Sequence, residues 1–232
     1  MLLLRNFAFY TMFYSGSIVV TLAALLCLPV SRRALRRCVR WWARYHRCCV
    51  ENLLGIAIEQ HGEPQTGSAL YVIKHESFFE AIDAPALFAH PAVFAKNTLF
   101  WIPGWGFAAR RYGLVPVQRD QGARTLRMMV KEARGLSARG RELVLFPEGT
   151  RTPHGVNAPL GAGFAGLYKL IGLPVVPVAV NSGPLYHRLL KRRGTITYRF
   201  GKTIPPGLDR RDVEAQVRDA INALNAGRGT SA

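Results

Sequence analysis

The sequence is poor in acids and in cysteines, and several common catalytic signatures are missing from it. Against 31 Lys and Arg there are 14 Asp and Glu, a net charge of +17. Such a balance implies an anionic partner: nucleic acid, an anionic membrane surface or an acidic substrate. Hydrophobic residues make up 49% of the chain, which favours the membrane over nucleic acid. The cysteines, Cys27, Cys38, Cys48 and Cys49, crowd near the N-terminus without zinc-site spacing. Reduced thiols in a cytosol-facing protein fit better than a disulfide framework. There is no G-x-x-x-x-G-K-[ST] phosphate loop and no G-x-S-x-G nucleophile elbow. Covalent catalysis through Ser or Cys therefore has no obvious candidate. Repeats and low-complexity linkers are absent, and 232 residues suit one domain with its own core.

Charge is missing from Phe7 to Val30. At 1.5 Å per residue this stretch can span a hydrocarbon core of about 30 Å. Thr11, Ser15, Gly16, Ser17 and Thr21 weaken it as a span, and Pro29 ends it. Arg5 precedes it, while Arg32, Arg33, Arg36 and Arg37 follow, so the positive-inside rule leaves the rest in the cytoplasm. A thin basic N-terminus without an A-x-A site argues against a cleaved signal peptide. Residues 31–54 read as a second helix. Leu35, Cys38, Val39, Trp42, Tyr45, Cys49 and Leu53 form one face; Arg33, Arg36, Arg37, Arg40, Arg44 and Arg47 form another. A basic amphipathic helix of this kind lies at a membrane interface, with Trp41 and Trp42 at headgroup depth. Residues 1–55 are thus expected to be a two-helix membrane-associating module, a hairpin dipping into one leaflet in preference to a span.

Past residue 55 the pattern changes. Apolar runs at Ile56–Glu59, Ala69–Lys74, Ala92–Lys96, Leu114–Val117, Glu142–Phe146, Val175–Val180 and Thr195–Phe200 predict strands. Helical stretches are expected near Phe79–Ala89, Gly122–Arg139, Gly161–Ile171 and Arg210–Ala226. The alternation argues for an α/β fold over 56–226, a mostly parallel sheet flanked by helices. Thr195–Phe200 alternates and reads as an edge strand. Residues 227–232 read as a flexible tail.

His75 follows an apolar run, so it sits at the C-terminal end of a strand, where open α/β sheets place ligands. Glu80 lies five positions on and cannot share a helical face with it. With a helix starting at Ser77, Glu80 in its first turn can reach back to the imidazole. A carboxylate on one ring nitrogen orients the base, and the other nitrogen can deprotonate a hydroxyl. Ser77-x-x-Glu80 is equally a capping box, in which Glu80 bonds the helix's own backbone. A zinc reading of His75-Glu76 fails because position 79 is Phe. Phe146-Pro147-Glu148-Gly149-Thr150-Arg151 is a strand end and a turn. Gly149 permits close backbone approach and Arg151 can grip a phosphate with two donors; alternatively Glu148 and Arg151 pair and hold the turn. Arg119 and Lys96, each at a strand end, read either as further phosphate cations or as solvated charges. Val176–Gly183 is a buried strand entering a turn.

These blocks, in this order, resemble the glycerolipid acyltransferase family, of which the 1-acylglycerol-3-phosphate acyltransferases are the best-known members. The family block N-H-x-S-x-x-D corresponds to Lys74–Glu80, with Lys for Asn and Glu for Asp. A second block corresponds to Gly113–Arg119. F-P-E-G-T-R is matched in full at Phe146–Arg151, and the Pro-containing fourth block is similar to Val176–Gly183. The two-helix N-terminus is similar to bacterial members. The resemblance implies that His75, oriented by Glu80, activates the free hydroxyl of a lysophospholipid. That oxygen attacks the thioester of acyl-CoA or acyl-carrier protein. Arg151, Arg119 and Lys96 hold the phosphate, with Glu148, Gly149 and Thr150 shaping its site. No metal or cofactor is expected beyond the co-substrate. The expected setting is the cytoplasmic face of a bacterial inner membrane. Glycerol-3-phosphate, another lysophospholipid or lyso-ornithine lipid remain alternative acceptors. A non-catalytic basic membrane-binding protein is the alternative of another class, and a nucleic-acid binder lacks its stacking motifs.

Overall fold

The computed structural model describes residues 1–29, 31–65, 67–117 and 122–225, with backbone alone for 122–125. The seven expected strands are all present: β1 (Ile56–His61), β2 (Leu70–Ile73), β3 (Ala92–Lys96), β4 (Val115–Val117), β5 (Leu143–Leu145), β6 (Val175–Val180) and β7 (Gly194–Phe200). They form one sheet in the order β1-β7-β6-β2-β5-β3-β4. From β6 through β4 the strands are parallel; β7 is antiparallel to β6 and carries β1 parallel to itself. β7 is therefore interior, contrary to the edge expected for Thr195–Phe200. Its alternation has another cause: Ile196 and Tyr198 enter the core while Arg199 faces out. Alternation reports which face is covered, not whether a hydrogen-bonding neighbour is missing.

Helices cover both faces. On one lie α1 (Leu2–Cys27), α2 (Arg32–Cys49), a π-helical turn (Val50–Leu54) and α3 (Phe79–Leu87). On the other lie α5 (Gly122–Ser137), α6 (Gly163–Ile171) and α7 (Arg210–Ile221). The short α4 (Trp105–Tyr112) and a 3-10 turn (Asn97–Trp101) fill the β3–β4 connection, where no helix was expected. α3 starts two residues later than Ser77, although the Ser77 hydroxyl still accepts the Phe79 N–H at 3.0 Å. The tail 227–232 and Arg119 lie outside the described residues.

The N-terminal helices share a core with the sheet. Phe9 and Phe13 of α1 and Cys49 at the end of α2 join Tyr71, Ile73, Phe79, Val178 and Tyr198 in one apolar cluster. Each buried aromatic contributes roughly 1.5–3 kcal/mol by leaving water. α1 crosses α2 at Gly16, where an added Cβ would overlap the Tyr45 ring. The Trp42 indole donates to the Ser17 hydroxyl at 2.9 Å. The small polar residues that interrupt the apolar stretch are thus partly explained by the contact with α2. Cys27 and Cys38 meet at the helix junction as thiols, their sulfurs 3.9 Å apart. The rest of α1 stays open, with Leu3, Leu4, Phe7, Ile18, Val19 and Leu26 exposed.

The basic face of α2 is not uniform. Arg47 turns inward and grips the fully buried Asp83 of α3 with two hydrogen bonds, at 2.9 and 2.6 Å. Arg40 donates to the Ala89 carbonyl. His46, between the two faces assigned from sequence, is fully buried and bonds the Tyr186 hydroxyl at 2.7 Å.

Candidate active site

Five parallel strands point their C-terminal ends to one edge of the sheet, and most of the candidate residues collect there. Lys74 and His75 follow β2, the Pro147–Arg151 turn follows β5, Lys96 ends β3, and Asn181 and Ser182 follow β6. The position is that in which open α/β sheets hold their ligands.

His75 is pinned through its backbone. Its N–H donates to a Glu148 carboxylate oxygen at 2.9 Å, and its carbonyl accepts the Thr152 N–H at 2.7 Å. The imidazole stacks on Phe146 with ring centres 4.3 Å apart. Its Nδ1 faces Glu80 Oε2 at 3.7 Å, and the ring keeps 16% of its side chain exposed. That separation is electrostatic contact, longer than a hydrogen bond.

Glu80 is buried and fully engaged. It accepts the N–H groups of Glu76 at 3.1 Å and Ser77 at 3.2 Å. It also accepts the hydroxyls of Ser77, at 3.3 Å, and Ser182. Half of the capping box is therefore formed, the bond from the Ser77 N–H to Glu80. The same carboxylate lies beside the imidazole. One group serves both arrangements because His75 precedes the helix in an irregular turn, which removes the angular mismatch of a regular helix.

Glu148 does not face an open site. It is buried, with one oxygen on the His75 N–H and the other 2.9 Å from Lys74 Nζ. The Glu148–Arg151 pair left open by the sequence is accordingly not formed. Lys74 is fully buried and also donates to the Val156 carbonyl at 2.7 Å and to Asn222 Oδ1 at 2.6 Å. Its charge is matched by Glu148, so it fastens the turn after β5 and the end of α7 to β2. Gly149 has φ 68° in a turn closed by its own N–H on the Phe146 carbonyl at 3.1 Å, a conformation that favours glycine. Thr150 and Arg151 are exposed, and the guanidinium lies over the Phe78 ring at 4.0 Å. Lys96 is exposed on the same edge, with β5 between its strand and β2.

Two contacts had no sequence signal. Ser182 is fully buried, its hydroxyl 2.7 Å from that of Ser77. Glu76 lies between His154, whose Nδ1 is 2.9 Å from Oε1, and the Gly183 N–H, 2.8 Å from Oε2. Burial pushes the Glu76 carboxyl up, against the pull of the Gly183 N–H and His154. Only the apolar block running into a turn at Val176–Gly183 hinted that the end of β6 belongs here. Among the described residues no group of three or more His, Cys, Asp or Glu is placed to hold a metal ion.

Comparison with known proteins identifies the family and the fold. The profile of a family described as Acyltransferase matches residues 56–181, more than half of the chain. A Pseudomonas aeruginosa protein named 1-acyl-sn-glycerol-3-phosphate acyltransferase is 26% identical over 204 residues, covering 85% of this chain and 79% of that protein. A Mus musculus protein named 1-acyl-sn-glycerol-3-phosphate acyltransferase alpha is 26% identical over 227 residues, covering 90% and 76%. The crystal structure of the 1-acyl-sn-glycerophosphate (LPA) acyltransferase, PlsC, from Thermotoga maritima has the same fold. It aligns over 100% of both chains at a TM-score of 0.79 and 19% identity. On the strength of the 56–181 match, which contains both His75–Glu80 and Phe146–Arg151, the chain belongs to the acyltransferase family.

Proposed function

We propose that this acyltransferase moves an acyl group from acyl-CoA or acyl-carrier protein to the free hydroxyl of 1-acylglycerol-3-phosphate, giving phosphatidic acid. The observation that carries the reading is His75 at the end of β2, half-buried, with the Glu80 carboxylate 3.7 Å from Nδ1. The carboxylate orients the ring so that its far nitrogen faces outward as the base. The far nitrogen takes the proton of the acceptor hydroxyl. The oxygen then adds to the thioester carbonyl, and the leaving thiolate takes the proton back from the imidazolium. No acyl-enzyme forms, and no group beyond the co-substrate is needed. Arg151 is free of carboxylate partners among the described residues and stands three residues past the bonded Glu148, which suits a phosphate cation. Lys96 and Arg119 are assigned the same role, and Gly149 and Thr150 line the turn that presents it. Both relatives named above carry this reaction in their names, which supports the acceptor.

The chain works at a membrane in this reading. α1 is long and apolar enough to cross one, and 17% of its most apolar window is buried inside the protein. The arginines left on α2 suit anionic lipid, and the catalytic residues are assigned to the cytoplasmic face of a bacterial inner membrane. A panel of acceptors, each offered with acyl-CoA and with acyl-carrier protein, tests the proposal. It contains 1-acylglycerol-3-phosphate, glycerol-3-phosphate, other lysophospholipids and lyso-ornithine lipid, with products resolved by mass. Preferred conversion of 1-acylglycerol-3-phosphate is expected. Preference for a non-phosphorylated acceptor would overturn the acceptor assignment, and conversion of none would overturn the reaction.

A further inference from the structure

The β3–β4 connection exposes a cluster of large apolar side chains. Trp101 is 76% exposed, Phe107 63%, Ile102 48%, Leu99 40% and Trp105 38%. Soluble surfaces rarely group such residues, and a patch of this kind marks an interaction site. The segment is also built rather than loose. Phe100 is buried beneath it and meets Trp105 edge-on at 6.0 Å. Arg110 lies over the Phe100 ring at 5.3 Å and donates to its carbonyl at 3.4 Å. Gly106 packs on the Phe100 backbone so tightly that an added Cβ would overlap the carbonyl carbon at 2.5 Å.

Two observations identify what covers the patch. The first is continuity with the open side of α1. A Cβ on Gly104 would stand 3.5 Å from Leu25, and Tyr112 of α4 packs with Leu28 and Leu35 at the α1–α2 junction. The neighbouring Leu22 and Leu26 of α1 are exposed. The second is charge. No acid occurs before Glu51 or between residues 97 and 112, whereas Arg32, Arg33, Arg37 and Arg110 are exposed around these elements. Tryptophan flanked by arginine beside a helix uncharged from Phe7 onward is the composition of a membrane–water interface.

We propose that Leu99–Phe107 is a second membrane-inserting element, seating Trp101 and Phe107 in an anionic lipid interface beside α1. It begins three residues after Lys96, which ends β3 at the C-terminal edge of the sheet. Insertion on two sides, by α1 and by this segment, holds that edge against the bilayer, so a lipid acceptor reaches His75 without leaving the membrane surface. The proposal rests on the membrane association above but not on the reaction.

The test uses the full chain with Trp41, Trp42 and Trp105 changed to Phe, leaving Trp101 as the reporter. Vesicles of phosphatidylcholine and phosphatidylglycerol, with and without bromine on the acyl chains, are added. Trp101 emission should shift to the blue and be quenched by the brominated lipid. In the otherwise native chain, Trp101→Ser with Phe107→Ser should weaken co-sedimentation with these vesicles at least about tenfold. Turnover of a short-chain, water-soluble acceptor should stay unchanged. Vesicle binding without any change at Trp101, or with no loss in the double variant, overturns the second element while leaving the role of α1 intact. Concentration-dependent self-association that shields Trp101 without lipid would also overturn it, by making the patch a contact between copies. Failure of the native chain to bind vesicles overturns the membrane reading as a whole, whatever the outcome of the acceptor panel.

Discussion

At Arg151 the side chain is fixed by little more than the Phe78 ring. Its removal should leave the fold intact. Arg151→Ala is expected to raise the KM for a phosphorylated acceptor, with kcat changed less, because a phosphate contact acts on bound substrate and transition state alike. Steady-state kinetics on 1-acylglycerol-3-phosphate check this, and an unchanged KM would remove Arg151 from the phosphate site. Lys74 is the opposite case. Lys74→Met leaves Glu148 buried without its cation, a change that typically costs about 3–5 kcal/mol. Urea unfolding should show that loss, and adding Glu148→Gln should restore part of it, since the two residues share one contact. The sequence places Lys74 next to His75, and from there its charge looks like an influence on the imidazole. Its actual partners, Glu148 and Asn222, are 74 and 148 residues away and follow from the packing of β5 and α7 against β2.

At the scale of elements, the Arg47–Asp83 pair joins α2 to α3. Its two ends differ: the Arg47 side chain is 26% exposed and Asp83 is fully buried. Arg47→Ala strands a buried carboxylate, whereas Asp83→Ala releases an arginine that can turn to water. Arg47→Ala is therefore expected to be the more destabilising by about 1 kcal/mol or more, measured by thermal or urea unfolding. His46, from the same helix, makes stability depend on pH. Burial lowers its pKa to about 3, helped by Lys191 and Arg47. The unfolded chain binds this proton below about pH 6.5, and the folded chain does so only near the lower value. The contribution is complete above about pH 6.5 and falls as pH drops, by up to about 1.4 kcal/mol per unit. Lys191 and Arg47 stay charged throughout that window, and Tyr186 stays neutral. His46→Phe should flatten the fall in unfolding free energy between about pH 6.5 and pH 4; an equal slope would assign the dependence to other groups.

Across the whole molecule, what could be read from the sequence divides by range. The strands were legible because each is a short apolar run closed by Gly, Pro or charged residues, and the parallel order follows from helices between them. α1 was legible from its missing charge. The β3–β4 connection was not, because Asn97–Trp101 is one 3-10 turn and α4 has only eight residues, about two turns, too few for an apolar stripe to recur. The inward Arg47 was missed for a different reason. Periodicity assigns it to the arginine face, and only the position of Asp83 turns it in. At the active edge, His75, Glu80 and the Phe146–Arg151 turn each carry local patterns. Ser182, 105 residues from Ser77, and His154, 78 residues from Glu76, carry none, and sheet order alone brings them in. The whole arrangement has one centre, the imidazole of His75. The most direct test is acyl transfer to 1-acylglycerol-3-phosphate by His75→Ala, with folding and vesicle binding measured on the same protein. Turnover should fall about 10²–10⁴-fold while both other readouts hold. Activity kept within about tenfold would contradict the general base at its core.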